Sequence, residues 1–353
     1  MSIIFAILLF SFLVFIHELG HFVAAKWSGV RVNEFSLFMG PALWQKQVGE
    51  TLYAIRCIPV GGYCAMEGED EDTPDDRSFQ KAPWWKRFII LVAGSFMNLV
   101  TGVLIFCIVF LPAQQVLEPA IESFTDCTLI SGEGGLQVGD LILQIDDEPV
   151  YVYGDVNTLL SVSTKGNHDV VVLRNGEKVT IPNALVPHEH TDENGETYSH
   201  YGFSYGRVRQ LDLADRFDYV WRNSINTVRN VRLSLQMMVS GQAGLKDMSG
   251  PVGIVSMMND VAESAEDGFT AMMNLLYFGG FIAINLGVMN LLPIPALDGG
   301  RVVCLMLSTV YEKLTRKKPD PRIEGYLHGA GMIVLLALMA LIMFKDIFVI
   351  VTG

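Results

Sequence analysis

Met1–Ile16 (MSIIFAILLFSFLVFI) runs without a single charge into His17-Glu18-Leu19-Gly20-His21, and Phe22-Val23-Ala24-Ala25 carries the apolar run on. A stretch of this length and composition crosses roughly 30 Å of hydrocarbon as a helix. Polar groups are costly at that depth, so three of them together in an apolar helix mark a functional site. The stretch lacks a positively charged start and a small-residue cleavage site, so it reads as a retained span and not a removed leader.

The rest of the chain fits a multi-pass membrane protein. Of its 353 residues, 50% are hydrophobic and only 18% are charged. That balance suits several spans and one modest water-exposed domain. Three further apolar stretches are long enough to cross a bilayer, at about 88–111, 271–292 and 328–350, the last with a late Lys345-Asp346 pair. Lysine and arginine in short loops set the expected orientation. Lys26, Arg31, Lys46, Arg56, Arg77, Lys81, Lys86 and Arg87 lie between the first two spans. Arg301, Lys313, Arg316, Lys317, Lys318 and Arg322 lie between the last two. Both loops are expected to face the cytoplasm, with both termini and the middle segment outside. The middle segment carries the acidity: residues 112–270 hold 23 acidic and 10 basic residues, which matches the whole net charge of −13. Nothing basic and interleaved with aromatics argues for a nucleic-acid partner. Cys57, Cys64, Cys107, Cys127 and Cys304 are scattered without a CxxC and read as ordinary thiols.

Residues 1–111 and 271–353 form two membrane halves, and residues 112–205 read as an inserted β-rich domain. Gly135–Asp146 (GLQVGDLILQID) places a turn before an alternating strand, and Val170–Ile181 reads as a hairpin around a type I′ Asn175-Gly176 turn. His188–His200 is polar and reads as a loop, with His188, Glu189 and His190 solvated. Residues 206–270 form a helical connector. Phe217, Val220, Trp221, Ile225, Val228, Val231 and Leu235 recur there at helical spacing. The pattern fits either a helix packed on its own domain or an amphipathic helix lying on the outer membrane surface. In the first half, a membrane-associated β-loop is expected at about 50–66. Thr51–Met66 (TLYAIRCIPVGGYCAM) reads as two short strands around Gly61-Gly62. An exposed edge there could pair with an extended peptide, or the hairpin could simply pack on the helices.

In a helix, residues i and i+4 share a face about 6 Å apart along the axis. His17 and His21 can therefore converge on one zinc ion. Glu18 is placed to take a proton from water during attack on a carbonyl and to return it to the leaving nitrogen. A catalytic zinc takes a third protein ligand and keeps one position open. Asn290–Gly300 (NLLPIPALDGG) offers Asp298. Pro293 and Pro295 stop the third helix, two glycines permit a tight turn, and a carboxylate there needs a cation. The alternative for Asp298 is a helix cap in a cytoplasmic turn. Asn98 and Asn290 are polar residues at membrane depth, where bonding between helices competes with a functional role. His328 begins the fourth span and is expected to be interfacial.

HELGH in the first helix with NLLPIPALDGG after the third resembles the site-2 protease family of intramembrane zinc metalloproteases. Pro59-Val60-Gly61-Gly62-Tyr63 resembles the family's membrane-associated β-loop, and Gly94-Ser95-Phe96-Met97-Asn98 its second-helix motif. Gly135–Asp146 resembles a PDZ domain, and Ser249-Gly250-Pro251-Val252-Gly253-Ile254 the segment before the third helix. The resemblance spans nearly the whole chain and is closest in layout to RseP-type members with a single PDZ domain. It implies an α-helical multi-pass membrane protein with four transmembrane helices and one inserted extracytoplasmic β-rich PDZ-like domain, in a bacterial inner membrane. It implies a Zn2+-dependent endopeptidase cutting within transmembrane segments, as the second cut of regulated intramembrane proteolysis. By the same resemblance, His17, His21 and Asp298 bind the metal and Glu18 is catalytic, near the cytoplasmic side. Asn290, Gly61, Gly62 and Asn98 are then expected to contact substrate, which would be an anti-sigma-factor-like protein or a signal-peptide remnant in the lipid bilayer. The PDZ-like domain would bind a new C-terminus or filter substrates by size. The competing reading is a non-catalytic, zinc-containing membrane scaffold with PDZ-mediated peptide binding. The intact Glu18 counts against it, because a structural site needs no base.

Overall fold

The computed structural model of the chain describes residues 2–69, 73–124, 135–191, 197–244, 246–317 and 321–352. They divide into two compact units: Met1–Phe106 with Ser234–Gly353, and Cys107–Leu233.

The membrane unit begins with α1 (Ser2–Ser28), which nothing in its apolar run interrupts. Gly29 follows at φ +82°, the left-handed residue that closes a helix. Two long strands come next, β1 (Val32–Val48) and β2 (Thr51–Met66). Residues 51–66 are thus one strand and not the two short ones expected. Gly61, at φ +75°, bends the strand without ending it. The main partner, β1, was not anticipated from the sequence. The register gives Glu34, Phe35, Ser36 and Leu37 partners in two stretches of β2; Phe35, for example, faces both Tyr53 and Cys64. Residues 62–66 therefore run along one flank of residues 32–37. Phe35, Cys64 and Met66 join Ala24, Ala25, Ile90 and Leu91 in one apolar core. That core ties the hairpin to α1 and to α2 (Trp84–Phe110).

In the second unit, β3 (Gln115–Phe124), β4 (Leu141–Ile145), β5 (Glu148–Pro149), β6 (His168–Arg174) and β7 (Glu177–Leu185) belong to one sheet. Asn175 and Gly176 sit at φ +51° and +86°, and Arg174 pairs with Glu177, as a type I′ hairpin requires. The expected 188–200 loop contains a small hairpin instead, β8 (His188–Thr191) with β9 (Thr197–His200). Four-residue polar strands carry no apolar alternation, so no strand signal is visible there; residues 192–196 lie outside the described residues. β10 (Phe203–Gln210) completes the six-stranded sheet, ordered β10-β3-β4-β6-β7 with β5 beside β4. Leu136, Ile142, Ile145, Val170, Val172 and Leu185 fill its core, covered by Val156 and Leu159 of α3 (Asp155–Val162).

The helix α4 (Leu213–Ser240) has an unusual distribution of faces. Val220 and Val231 are buried, but so are Asn223, Ser224, Asn226, Thr227 and Arg229. Arg229 pairs with Asp155 at 2.9 Å and lies 5.0 Å over the Tyr151 ring. Phe217, Trp221 and Val228 of the expected apolar stripe are exposed. The helix packs on its own unit largely through polar groups, with Val220, Val231 and Leu233 beside them, and turns Phe217, Trp221 and Val228 outward.

The membrane unit resumes with α5 (Pro251–Glu263), α6 (Gly268–Asn290), α7 (Asp298–Thr315) and α8 (Pro321–Thr352). Among the described residues, four helices are long and apolar enough to cross a membrane: Ile4–Ser28, Trp84–Phe110, Gly268–Asn290 and Ile323–Val349. They match the expected spans to within a few residues. The 18-residue α7, inside what read as a loop, was not anticipated. The late Lys345-Asp346 pair proves structural. Asp346 accepts the backbone N–H groups of Gly250 at 2.8 Å and Gly253 at 2.9 Å, at the start of α5, and Lys345 donates to the Met248 carbonyl.

Candidate active site

His17 and His21 are one turn apart on α1, and their Nε2 atoms lie 3.2 Å from each other. Each is 3.3 Å from Oδ2 of Asp298, the first residue of α7. A tetrahedral ion with ligands at about 2.0–2.1 Å holds those ligands about 3.3 Å apart. The three atoms thus make the near-equilateral triangle that one face of a zinc tetrahedron demands. The hydrogen bonds behind them fit too. His21 Nδ1 is 2.8 Å from the Ile90 carbonyl, which can only accept, so the proton sits on Nδ1 and the neutral ring turns a lone pair toward the triangle. His17 Nδ1 is 3.3 Å from the Asn98 amide. The Asn98 Oδ1 atom is buried and, among the described residues, has no hydrogen-bond partner. Exchanging the two ends of that amide lets Oδ1 accept from His17 Nδ1–H and leaves His17 in the same tautomer as His21. Asn98 therefore stands behind a candidate ligand.

α2 accommodates the triangle through a short stretch that supplies several of its contacts. A Cβ on Gly94 would strike the His21 ring and come within 2.8 Å of His17 Cε1, so only glycine leaves room for both imidazoles. Ser95 donates from Oγ to Asp298 Oδ2 at 3.3 Å. The second-helix motif Gly94–Asn98 was visible in the sequence, but a site role was expected only for Asn98, and the Ile90 carbonyl was not anticipated. Ser95 and Asn98, one turn apart in an apolar span, were the available signal.

Asp298 owes its place to the broken chain before it. α6 stops at Asn290, and Leu297 is the cap before α7. The carboxylate then sits in a first helical turn, where the backbone dipole favours negative charge. Gly299 and Gly300 let α7 press on its own approach, since a Cβ on either would collide with the carbonyls of Leu291, Leu292 or Ile294.

Glu18 lies next to the triangle and meets β2. Its carboxylate is engaged by the Cys64 backbone. Burial, with the Glu18 charge beside it, pushes the Cys64 thiol up to about 12, so it stays protonated. A Cβ on Gly62 would lie 3.4 Å from Glu18 Cγ and 3.0 Å from the Ser36 carbonyl. Gly62 is thereby placed at the site, whereas Gly61 packs under Met39. Asn290 closes α6 half-buried and, among the described residues, makes no hydrogen bond to His17, His21 or Asp298. Among the described cysteines, Cys57, Cys64, Cys107 and Cys304 are free thiols.

Comparison with known proteins gives a consistent result. The model of peptidase family M50 matches residues 5–338. A relative from Clostridium acetobutylicum that carries a zinc-metalloprotease name is 34% identical over 349 residues, covering 98% of this chain and 97% of its own. The regulator of sigma-W protease RasP of Bacillus subtilis is 27% identical over 429 residues, covering 98% of each. The zinc metalloprotease RasP of Oceanobacillus iheyensis is 27% identical over 423 residues, covering 97% of each.

Proposed function

The chain belongs to peptidase family M50 and is a zinc-dependent intramembrane protease; from this premise we propose that His17, His21 and Asp298 hold the zinc and that Glu18 is the catalytic base. The observation that carries the assignment is the 3.2–3.3 Å triangle of Nε2, Nε2 and Oδ2. When bound, zinc supplies positive charge for a polarised carbonyl and lowers the pKa of water to about 7. Glu18 takes the proton of the attacking water and passes it to the leaving amide nitrogen. The Ile90 carbonyl and Asn98 hold the two imidazoles in the ligating tautomer. Asn98 acts in this way on His17.

A transmembrane helix protects its amides by internal hydrogen bonds, so a substrate must unwind before attack. The stretch 62–66, on the flank of the sheet and beside Glu18, supports the reading that an extended substrate strand pairs there. The placement of lysine and arginine supports the reading that the 25–87 and 301–327 segments face the cytoplasm and that the Cys107–Leu233 unit lies outside. In this orientation that unit, a PDZ-like domain, controls which chains reach the site. The outward Phe217 and Trp221 of α4 lie on the bilayer surface. The Bacillus relative's name points to regulation of a sigma factor, and the substrate class proposed here is a single-span membrane protein already trimmed outside.

The test is Glu18→Gln in purified protein with a transmembrane reporter substrate. Zinc content stays at the wild-type level and cleavage falls by about 10²-fold or more. Cleavage at the wild-type rate would overturn the assignment of Glu18.

A further inference from the structure

Ala296 sits two residues before Asp298 at φ +79°, a backbone conformation that L side chains rarely adopt. It follows Pro295, which has no N–H of its own. The loop that carries both is held from two sides. α7 presses on it through Gly299 and Gly300. α8 presses through Gly331, where a Cβ would lie 2.6 Å from Pro295 Cβ and 2.8 Å from the Pro295 carbonyl. One turn before Gly331, His328 Nδ1 accepts the Ala296 N–H at 2.9 Å.

We propose that His328 is a positioning residue for the active site: its bond to the Ala296 amide holds the left-handed residue that aims Asp298 at the triangle. The proposal rests on Asp298 being a zinc ligand. The bond also fixes the ring, since an accepting Nδ1 leaves the proton on Nε2 in the neutral form. Cys304, Glu324 and His328 lie together, with candidate ligand atoms within 4.8 Å of one another. A metal on that group would need an imidazole lone pair that the Ala296 amide already occupies, so the positioning role and coordination there exclude each other. The consequence is a mechanical link from the fourth span to the metal centre. A shift of α8 along its axis would move the Ala296 amide and, with it, the Asp298 carboxylate.

The experiment compares full-length His328→Leu, His328→Asn and His328→Leu/Ala296→Gly in detergent. Three readouts are used: Zn2+ affinity, the absorption spectrum of the Co2+-loaded protein, and amide exchange of residues 294–298 without metal. Leucine keeps the bulk and removes the acceptor. It should weaken Zn2+ binding about tenfold, change the cobalt spectrum and speed exchange of the Ala296 amide. Asparagine, whose Oδ1 can accept from a similar position, should stay near wild type. Glycine at 296 holds the positive φ without strain and should recover most of the lost affinity. Unchanged affinity and exchange in His328→Leu would overturn the proposal, as would equal damage from asparagine. If His328→Leu does not fold, the wild-type exchange decides: an unprotected Ala296 amide overturns the proposal. Asp298→Asn separates the two readings. If it leaves Zn2+ affinity intact, the ligand assignment fails, while the metal-free exchange still tests the His328 bond.

Discussion

In the Cys107–Leu233 unit, buried ionic groups find their partners within the chain. Asp140 is 1% exposed, and Arg174 clamps both of its oxygens at 2.7 and 2.8 Å. Asp155 pairs through one oxygen with Arg229 at 2.9 Å, and its other oxygen accepts the Tyr151 and Val152 amides. In the membrane unit, His17, His21 and Asp298 bring three acceptor atoms together with both outer imidazole nitrogens already committed to Ile90 and Asn98. The first arrangement is complete as a fold. The second is complete only with a cation. Both units bury charge, and function lies where the chain itself does not neutralise it.

The contrast can be broken by unpairing one unit and reading the other. Asp140→Ala leaves the Arg174 guanidinium without its buried partner and should cost the Cys107–Leu233 unit about 3–5 kcal/mol. Denaturant unfolding of that unit would show the loss, and zinc stoichiometry should not change. Loss of zinc would mean the units are not separable in this sense. Asn98→Leu is the reverse case. Zinc affinity should fall on the order of 10–100-fold, while the unfolding of the other unit stays at wild type. Asp346→Ala removes the acceptor at the start of α5 and should cost the membrane unit about 1–2 kcal/mol, measured as a lowered midpoint in detergent denaturation. The smallest effect concerns Asp146. Burial would raise its carboxyl, but hydrogen bonds from the His168 ring and the Asp169 amide hold it below the usual range. A depressed folded value stabilises above the unfolded value of about 3.9, and the benefit is lost as pH falls through the folded one. The sheet unit should therefore weaken below about pH 4, and Asp146→Asn should flatten that acid limb. An identical acid limb in the variant would remove Asp146 from the account.

Much of the membrane unit was legible because hydrocarbon leaves few options. A long apolar run has to be a helix, and a His-Glu-x-x-His inside one has to be explained. What stayed hidden depends on partners distant in sequence. β1 (Val32–Val48) mixes glycine, proline and exposed polar residues, and only its register with Thr51–Met66 makes it a strand. α7 follows two prolines and itself carries Arg301 and Lys313, so its stretch looked like a loop. Ser95 looked like one more small residue in an apolar span until Asp298 arrived from 203 residues away. In α4 the sequence showed two faces but not which one packs. The polar face went inward because Asp155 and the Pro149 carbonyl were waiting for Arg229. Amphipathic periodicity reports that two environments exist, and the identity of each comes from the rest of the fold.

The central claim is that two imidazoles and one carboxylate hold a zinc with an open position beside Glu18. X-ray absorption at the zinc edge of the purified protein tests it most directly. The account predicts only nitrogen and oxygen neighbours at about 2.0–2.2 Å, a first shell unchanged in Glu18→Gln and altered in Asp298→Asn. A sulfur neighbour at about 2.3 Å, or a first shell indifferent to Asp298→Asn, would contradict it.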